Sequence, residues 1–244
     1  MIEMAEDKIS QKRQKKWHQK WWGILFLLIC VLTFIYGAVL IYQVVYIVEA
    51  KNSIKNNNQY SLVSPISIRD FLEKKDAPFL GNKNAQIVIV EFGDFQCPYC
   101  KAEAPILKQL VVQDSSVKLI FRNFPNPVAH ADALAAALAA QCANEQGKFW
   151  EYHDQLFANQ DDLSDSNLKS IASGLGLNTN QFNQCLDSSK YFSVIQSDMQ
   201  DGLSLNITAT PTFYINGTKV VGNIPYDTFK KAIDGIKQMQ TSSH

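Results

Sequence analysis

The chain has 244 residues, with 23 Lys and Arg against 23 Asp and Glu, 46% hydrophobic residues and 19% charged ones. This is enough apolar material for one sizeable core or two small ones, and it excludes both wholesale disorder and a strongly basic nucleic-acid-binding protein. The zero net charge conceals an asymmetry, since residues 1–48 carry six basic and three acidic side chains and leave 17 and 20 for the remainder.

Residues 21–48 are a run of 28 positions without a charge. As a helix the run would be about 42 Å long, against a hydrocarbon core of roughly 30 Å, so it reads as a transmembrane helix with some tilt. Lys12, Arg13, Lys15, Lys16 and Lys20 precede it. The excess of positive charge makes residues 1–20 a cytoplasmic basic tail and puts everything after Val48 outside. Trp21 and Trp22 suit one interface, Tyr42 and Tyr46 the other. A cleaved signal peptide is the alternative, but the apolar stretch is too long and lacks a small-x-small cleavage site, which favours an uncleaved anchor. The polar, Asn-rich residues 49–64 read as a flexible linker, so the folded domain is expected over 65–244. A short helix over 67–75, capped by Ser67, is the first element expected in it.

A β-branched run, IVIV at 87–90, continues into Glu91 and Phe92 and reads as a strand buried on both faces. After GDFQ comes Cys97-Pro98-Tyr99-Cys100, then KAEAPILKQLVVQ, whose apolar spacing suits a helix interrupted or kinked at Pro105. Cys97 then falls at the helix N-cap and Pro98 at the first helical position. Unpaired N–H groups and the positive end of the helix dipole favour a thiolate at Cys97, while Cys100, a turn inside, is shielded. Cys97 is thus the accessible attacking sulfur and good leaving group, and Cys100 the resolving one. A zinc half-site would need a second Cys or His pair, which the sequence lacks, and a static disulfide closing so short a loop gains little, so the motif reads as redox-active. No metal and no bound cofactor are expected.

Residues 207–217, ITATPTFYING, read as an approach, a proline, a strand and an Asn-Gly hairpin turn. Taken together, EFGDFQCPYC, QCANEQGKFWEYHDQLF and TPTFYING resemble the DsbA family of thiol:disulfide oxidoreductases, particularly its membrane-tethered, Gram-positive-like branch. The resemblance covers about residues 76–240. It implies an α/β thioredoxin fold with strands near 87–92, 118–123, 211–215 and 218–222 and a helical insertion over about 128–205. It also implies that Thr210-Pro211 is a cis-proline loop facing the two cysteines, with the Thr210 backbone free to pair with an extended substrate. Glu91 resembles the buried acid that assists proton transfer at the second cysteine, the alternative being a side chain that points to water. Where well-studied members carry His, this chain has Tyr99, which also resembles glutaredoxins and implies a less extreme oxidant.

The insertion reads as helices over 129–144, 149–157, 165–173, 181–186 and 189–203. Cys142 and Cys185 lie in it, 43 residues apart, and are expected to form a structural disulfide outside the cytoplasm, the alternative being two buried thiols. Cys30 lies in the membrane run. His130 is expected to pack or cap near the active site, and His153 to pack or face solvent. The function expected is an extracytoplasmic, single-pass oxidoreductase of the bacterial cell membrane that introduces disulfides into exported polypeptides with free cysteines. A membrane redox partner, quinone-linked by family analogy, would reoxidise it. A reductase or isomerase, or a non-catalytic chaperone or metal-delivery module, remains the alternative.

Overall fold

The computed structural model describes residues 65–241, so the expected basic tail, membrane helix and linker lie outside the described residues. Among the described residues no helix is long and apolar enough to cross a membrane. The chain opens with α1 (Pro65–Leu72), β1 (Phe79–Gly81), β2 (Ile87–Gly93), α2 (Pro98–Gln113) and β3 (Val117–Asn123). Five helices follow: α3 (Ala133–Asn144), α4 (Phe149–Ala158), α5 (Asp165–Gly174), α6 (Thr179–Asp187) and α7 (Phe192–Ser204). The hairpin β4 (Thr212–Ile215) and β5 (Thr218–Val221) and the helix α8 (Tyr226–Thr241) complete it.

The five strands form one mixed sheet in the order β1-β3-β2-β4-β5, with β2 and β3 parallel and the other neighbours antiparallel. Every residue of β2 is buried, as a central strand requires. Alternation along the strands divides the core. Ile87, Ile89, Val117, Leu119, Phe213 and Ile215 meet α2 and α8 through Leu107, Leu110, Phe229 and Ile233. Val88, Val90, Phe92, Ile120 and Tyr214 pack on the opposite side with Leu72 of α1 and Ile207. Burying each such side chain is worth roughly 1.5–3 kcal/mol.

That second side carries a buried ion cluster. Arg122, fully buried on β3, bonds Asp198 Oδ1 at 2.7 Å and Asp201 Oδ2 at 2.5 Å, both on α7, and donates to the Leu72 carbonyl of α1 at 3.1 Å. Asp198 Oδ2 accepts from the Asn123 backbone and side chain. The last helix of the insertion is thereby fixed to the central sheet. The insertion has its own core, and Phe95, Cys97, Cys100 and Phe121 belong to it, which places the two cysteines where insertion and sheet meet. Cys142 of α3 and Cys185 of α6 are joined by a disulfide.

Several local expectations need correction. α1 begins at Pro65, so Ser67 lies inside the helix and not at its N-cap. α2 runs through the exposed Pro105 as one element, so the proline does not interrupt it. α3 starts at Ala133 and not at 129, because the preceding segment is taken up by bonds to the active-site loop. β1 and α8 are elements that the sequence reading missed. The Asn-Gly turn forms as expected, with Asn216 and Gly217 at φ +45° and +89° and Asn216 Oδ1 accepting from Val88 N at 2.8 Å.

Candidate active site

The loop after β2 delivers Cys97 to the N-cap of α2 with extended backbone (φ −74°, ψ 122°) and Pro98 at the first helical position. Both cysteines are free thiols. Across the site the Thr210–Pro211 peptide bond is cis, and Cys97 Sγ donates to the Thr210 carbonyl at 3.3 Å. Cys97 is only 4% exposed and Cys100 not at all, so the attacking sulfur is less accessible than the motif alone suggests. Thr210 covers it from one side and the insertion from the other. Beside it Tyr99 is 61% exposed.

The two sulfurs are driven apart in acidity. Cys97 is lowered from 9.0 to about 5, chiefly by a hydrogen bond from the Cys100 thiol, against which burial works, with further help from the Thr210 side chain and from the backbone N–H groups of Cys100 and Tyr99. The helix-start amides expected from sequence contribute, but the neighbouring thiol contributes more. Cys100 is pushed well above 9.0, first by burial, then by that same hydrogen bond and by the charge of Glu91.

Glu91 lies on β2 between Phe121 of β3 and Phe213 of β4, and it is 1% exposed. Its two carboxyl oxygens find no hydrogen-bond partner within the protein. Burial, followed by the charges of Glu103 and Cys97, raises it from 4.5 to about 8. Gly93 is required here, because a Cβ would sit 2.6 Å from the Phe121 ring and 3.1 Å from Glu91 Oε1. Glu103, buried on α2 a turn past Cys100, accepts from Ile224 N and is itself raised by burial.

A polar network that the motif reading missed holds the loop. The buried Asp94 carboxylate accepts from Gln96 N at 2.8 Å, Asn126 N at 2.9 Å and His130 Nδ1 at 2.8 Å, while Asp94 N approaches Cys100 Sγ at 3.5 Å. Gln96 Oε1 accepts from Asp132 N at 2.5 Å. Gln160, beyond α4, donates to the carbonyls of Phe95 and Cys97, each at 2.9 Å. Asp followed two residues later by a backbone donor is an Asx-turn pattern, so Asp94 had a local signal; Gln160 had none. His130 therefore sits next to the site, paired with Asp94. His153 is buried among Phe95, Phe121, Phe149, Trp150 and Phe157. Among the described residues no group of three or more His, Cys, Asp or Glu could hold a metal ion.

Comparison with known proteins places this geometry in a family. The family model described as Thioredoxin matches residues 73–235. The Na(+)/H(+) antiporter NhaA 3 of Salinispora tropica is 37% identical over 147 residues, which are 60% of this chain but only 22% of the antiporter. The chain thus spans less than a quarter of that relative's length. The probable disulfide bond formation protein D of Bacillus cereus is 31% identical over 166 residues, covering 64% of this chain and 76% of that protein. Among solved structures, the thiol-disulfide exchange protein alpha-DsbA2 of Wolbachia pipientis superposes with a TM-score of 0.64 at 25% identity, over 75% of this chain and 98% of that one. With the thioredoxin sheet, the helical insertion and these relatives together, the chain belongs to the DsbA-like thiol:disulfide oxidoreductase family of the thioredoxin fold.

Proposed function

We propose that the protein is a membrane-anchored, extracytoplasmic thiol:disulfide oxidoreductase that introduces disulfides into exported polypeptides, with residues 21–48 as the anchor and 65–244 as the catalytic domain. The observation that carries this reading is the opposed acidity of the two sulfurs, Cys97 at about 5 and Cys100 well above 9.0, next to the Thr210 carbonyl. In the oxidised enzyme a substrate thiolate attacks Cys97 Sγ, the Cys97–Cys100 bond breaks, and Cys100 departs and takes a proton from Glu91. A second substrate thiolate then attacks the substrate sulfur, and Cys97 leaves as a stable thiolate. The substrate emerges oxidised by two electrons and the enzyme reduced by two. Thr210-Pro211 offers backbone for an extended substrate to pair with, and Pro98 and Tyr99 supply apolar contact. A membrane partner, quinone-linked by analogy with the family, returns the pair to the disulfide.

A reductase or isomerase would use the same residues, and Tyr99 in place of a cationic neighbour favours a milder oxidant. The reduction potential of the Cys97–Cys100 pair in the full chain, equilibrated against glutathione, separates them. A value near about −120 mV supports the oxidase, and one near about −270 mV assigns a reductase. Cys97→Ser is expected to abolish exchange. Full function without that sulfur would leave only a chaperone or metal-carrying role.

A further inference from the structure

Behind the cysteines lies a cavity of about 330 Å³ bounded by β1, β2, β3, α2 and α4. Glu91 and His153 both line it, together with Leu107, Leu119 and Trp150. None of Cys97, Cys100, Thr210 and Pro211 is among its lining residues, so it lies apart from the face where substrate meets Cys97. Lys108, Glu151 and Asp154, each more than a third exposed, mark its solvent end. At about 30 Å³ per molecule in the liquid, there is room for several waters.

Two of the residues that line this space carry buried polar atoms without a partner. Neither oxygen of Glu91 has a bond within the protein, and neither has the buried Nε2 of His153. The other ring nitrogen, Nδ1, lies 3.0 Å from Asp154 Oδ1, and Asp154 in turn pairs with Lys108 through Oδ2. An imidazole held by a carboxylate on one side presents a free nitrogen on the other. Burial lowers the basicity of His153, with Asp154 acting against this and Lys108 with it, so the ring is neutral at neutral pH and Nε2 accepts.

We propose that His153 is the solvent-side station of a proton path serving Glu91, joining the buried carboxyl to bulk water through this cavity while substrate covers Cys97. The inference rests on the reading of Glu91 as proton donor and acceptor for Cys100. During reoxidation Cys100–SH gives its proton to the Glu91 carboxylate; cavity water carries it to Nε2, and Nδ1 releases one proton toward Asp154 and solvent. The ring is left as the Nε2–H tautomer. During substrate oxidation the transfer reverses, with one proton entering by Nδ1 and one leaving Nε2 by way of water for Glu91, which has just protonated the Cys100 thiolate. One proton crosses in each half-cycle and no electron moves through the path. The charged groups facing it are Glu91 on β2, Lys108 on α2, and Glu151 and Asp154 on α4, with Glu103 and Cys97 acting on Glu91 from α2 and its N-cap.

The test uses the reduced full chain mixed with glutathione disulfide, with acid-quenched mass spectrometry following the Cys97–glutathione mixed disulfide. Its formation depends on the Cys97 thiolate and serves as the internal reference; its decay needs Cys100 deprotonated. His153→Phe, which keeps the aromatic packing, and Asp154→Ala are each expected to slow decay roughly tenfold, less than the 10²–10⁴ of a direct acid–base group because water alone offers a slower route. The pH profile of decay should shift while the reduction potential stays at the wild-type value. If both variants decay at the wild-type rate with the wild-type pH profile while Glu91→Gln is slow, the Glu91 reading stands and the role of His153 is overturned. If Glu91→Gln itself decays normally, the Glu91 reading falls and takes this inference with it. Should His153→Phe fail to fold, Asp154→Ala at the exposed end decides alone.

Discussion

At the scale of single residues, burial sets the chemistry of this site, and it acts in opposite directions on neighbouring groups. Glu91 is raised from 4.5 to about 8, so the folded state favours its neutral form. For an acid shifted upward, the stabilising contribution is complete below 4.5 and is lost as pH rises through about 8. Glu91→Gln removes that loss. Denaturant unfolding of variant and wild type should diverge progressively between those two pH values, reaching on the order of 5 kcal/mol in favour of the variant; parallel curves would contradict a buried, titrating carboxyl. Cys97 moves the other way, to about 5, with the Cys100 thiol as the largest cause. Ultraviolet titration of the thiolate should therefore show a midpoint near 5 in the wild type, and Cys100→Ala should move it upward. A midpoint that ignores Cys100 would return the explanation to the helix-start amides. The motif was legible because its spacing and its proline are local. The dominant cause of its acidity was not, because that depends on where one thiol points.

Among the elements, those whose signal is periodic or punctuated were readable: the β2 run, the strand before the Asn-Gly turn, and the helices ending near Gly147 and Gly174. The first strand, with only three residues and two of them exposed, carries too little alternation to stand out. α8 was overlooked although Phe229, Ile233 and Ile236 recur at helical spacing and pack on the sheet. The late start of α3 had no local signal, since the bonds from Asn126 N to Asp94 and from Asp132 N to Gln96 come from residues more than thirty positions away. Within the insertion, the Cys142–Cys185 bridge closes a loop of 43 residues. Replacing both cysteines by Ala should cost about 4 kcal/mol in the chain-entropy account, read as a lower denaturant midpoint. The redox potential of the Cys97 pair should not follow it, because the bridge joins α3 to α6 and touches neither sulfur.

At the scale of the whole molecule, insertion and sheet must meet correctly for the site to exist. Arg122 ties β3 to α1 and α7, and Gln160 reaches from the insertion to the carbonyls of Phe95 and Cys97. Gln160→Ala strands the Phe95 carbonyl next to the reactive loop, while the Cys97 carbonyl keeps the Lys101 N–H. Its expected cost is about 1–3 kcal/mol of unfolding free energy, accompanied by a shifted Cys97 titration; a loss of stability with the titration unmoved would make Gln160 a packing residue alone. The sequence by itself determined the reactive pair, its place at a helix start, the buried central strand and the fold family, because spacing, backbone preference and side-chain period are properties of neighbouring residues. Only the tertiary structure decided that a carbonyl 113 positions away receives the Cys97 thiol, that Asp94 pairs with His130, and that Glu91 and His153 share one cavity. Acidity and hydrogen bonding depend on distance through space and on exclusion of water, and chain spacing does not encode either.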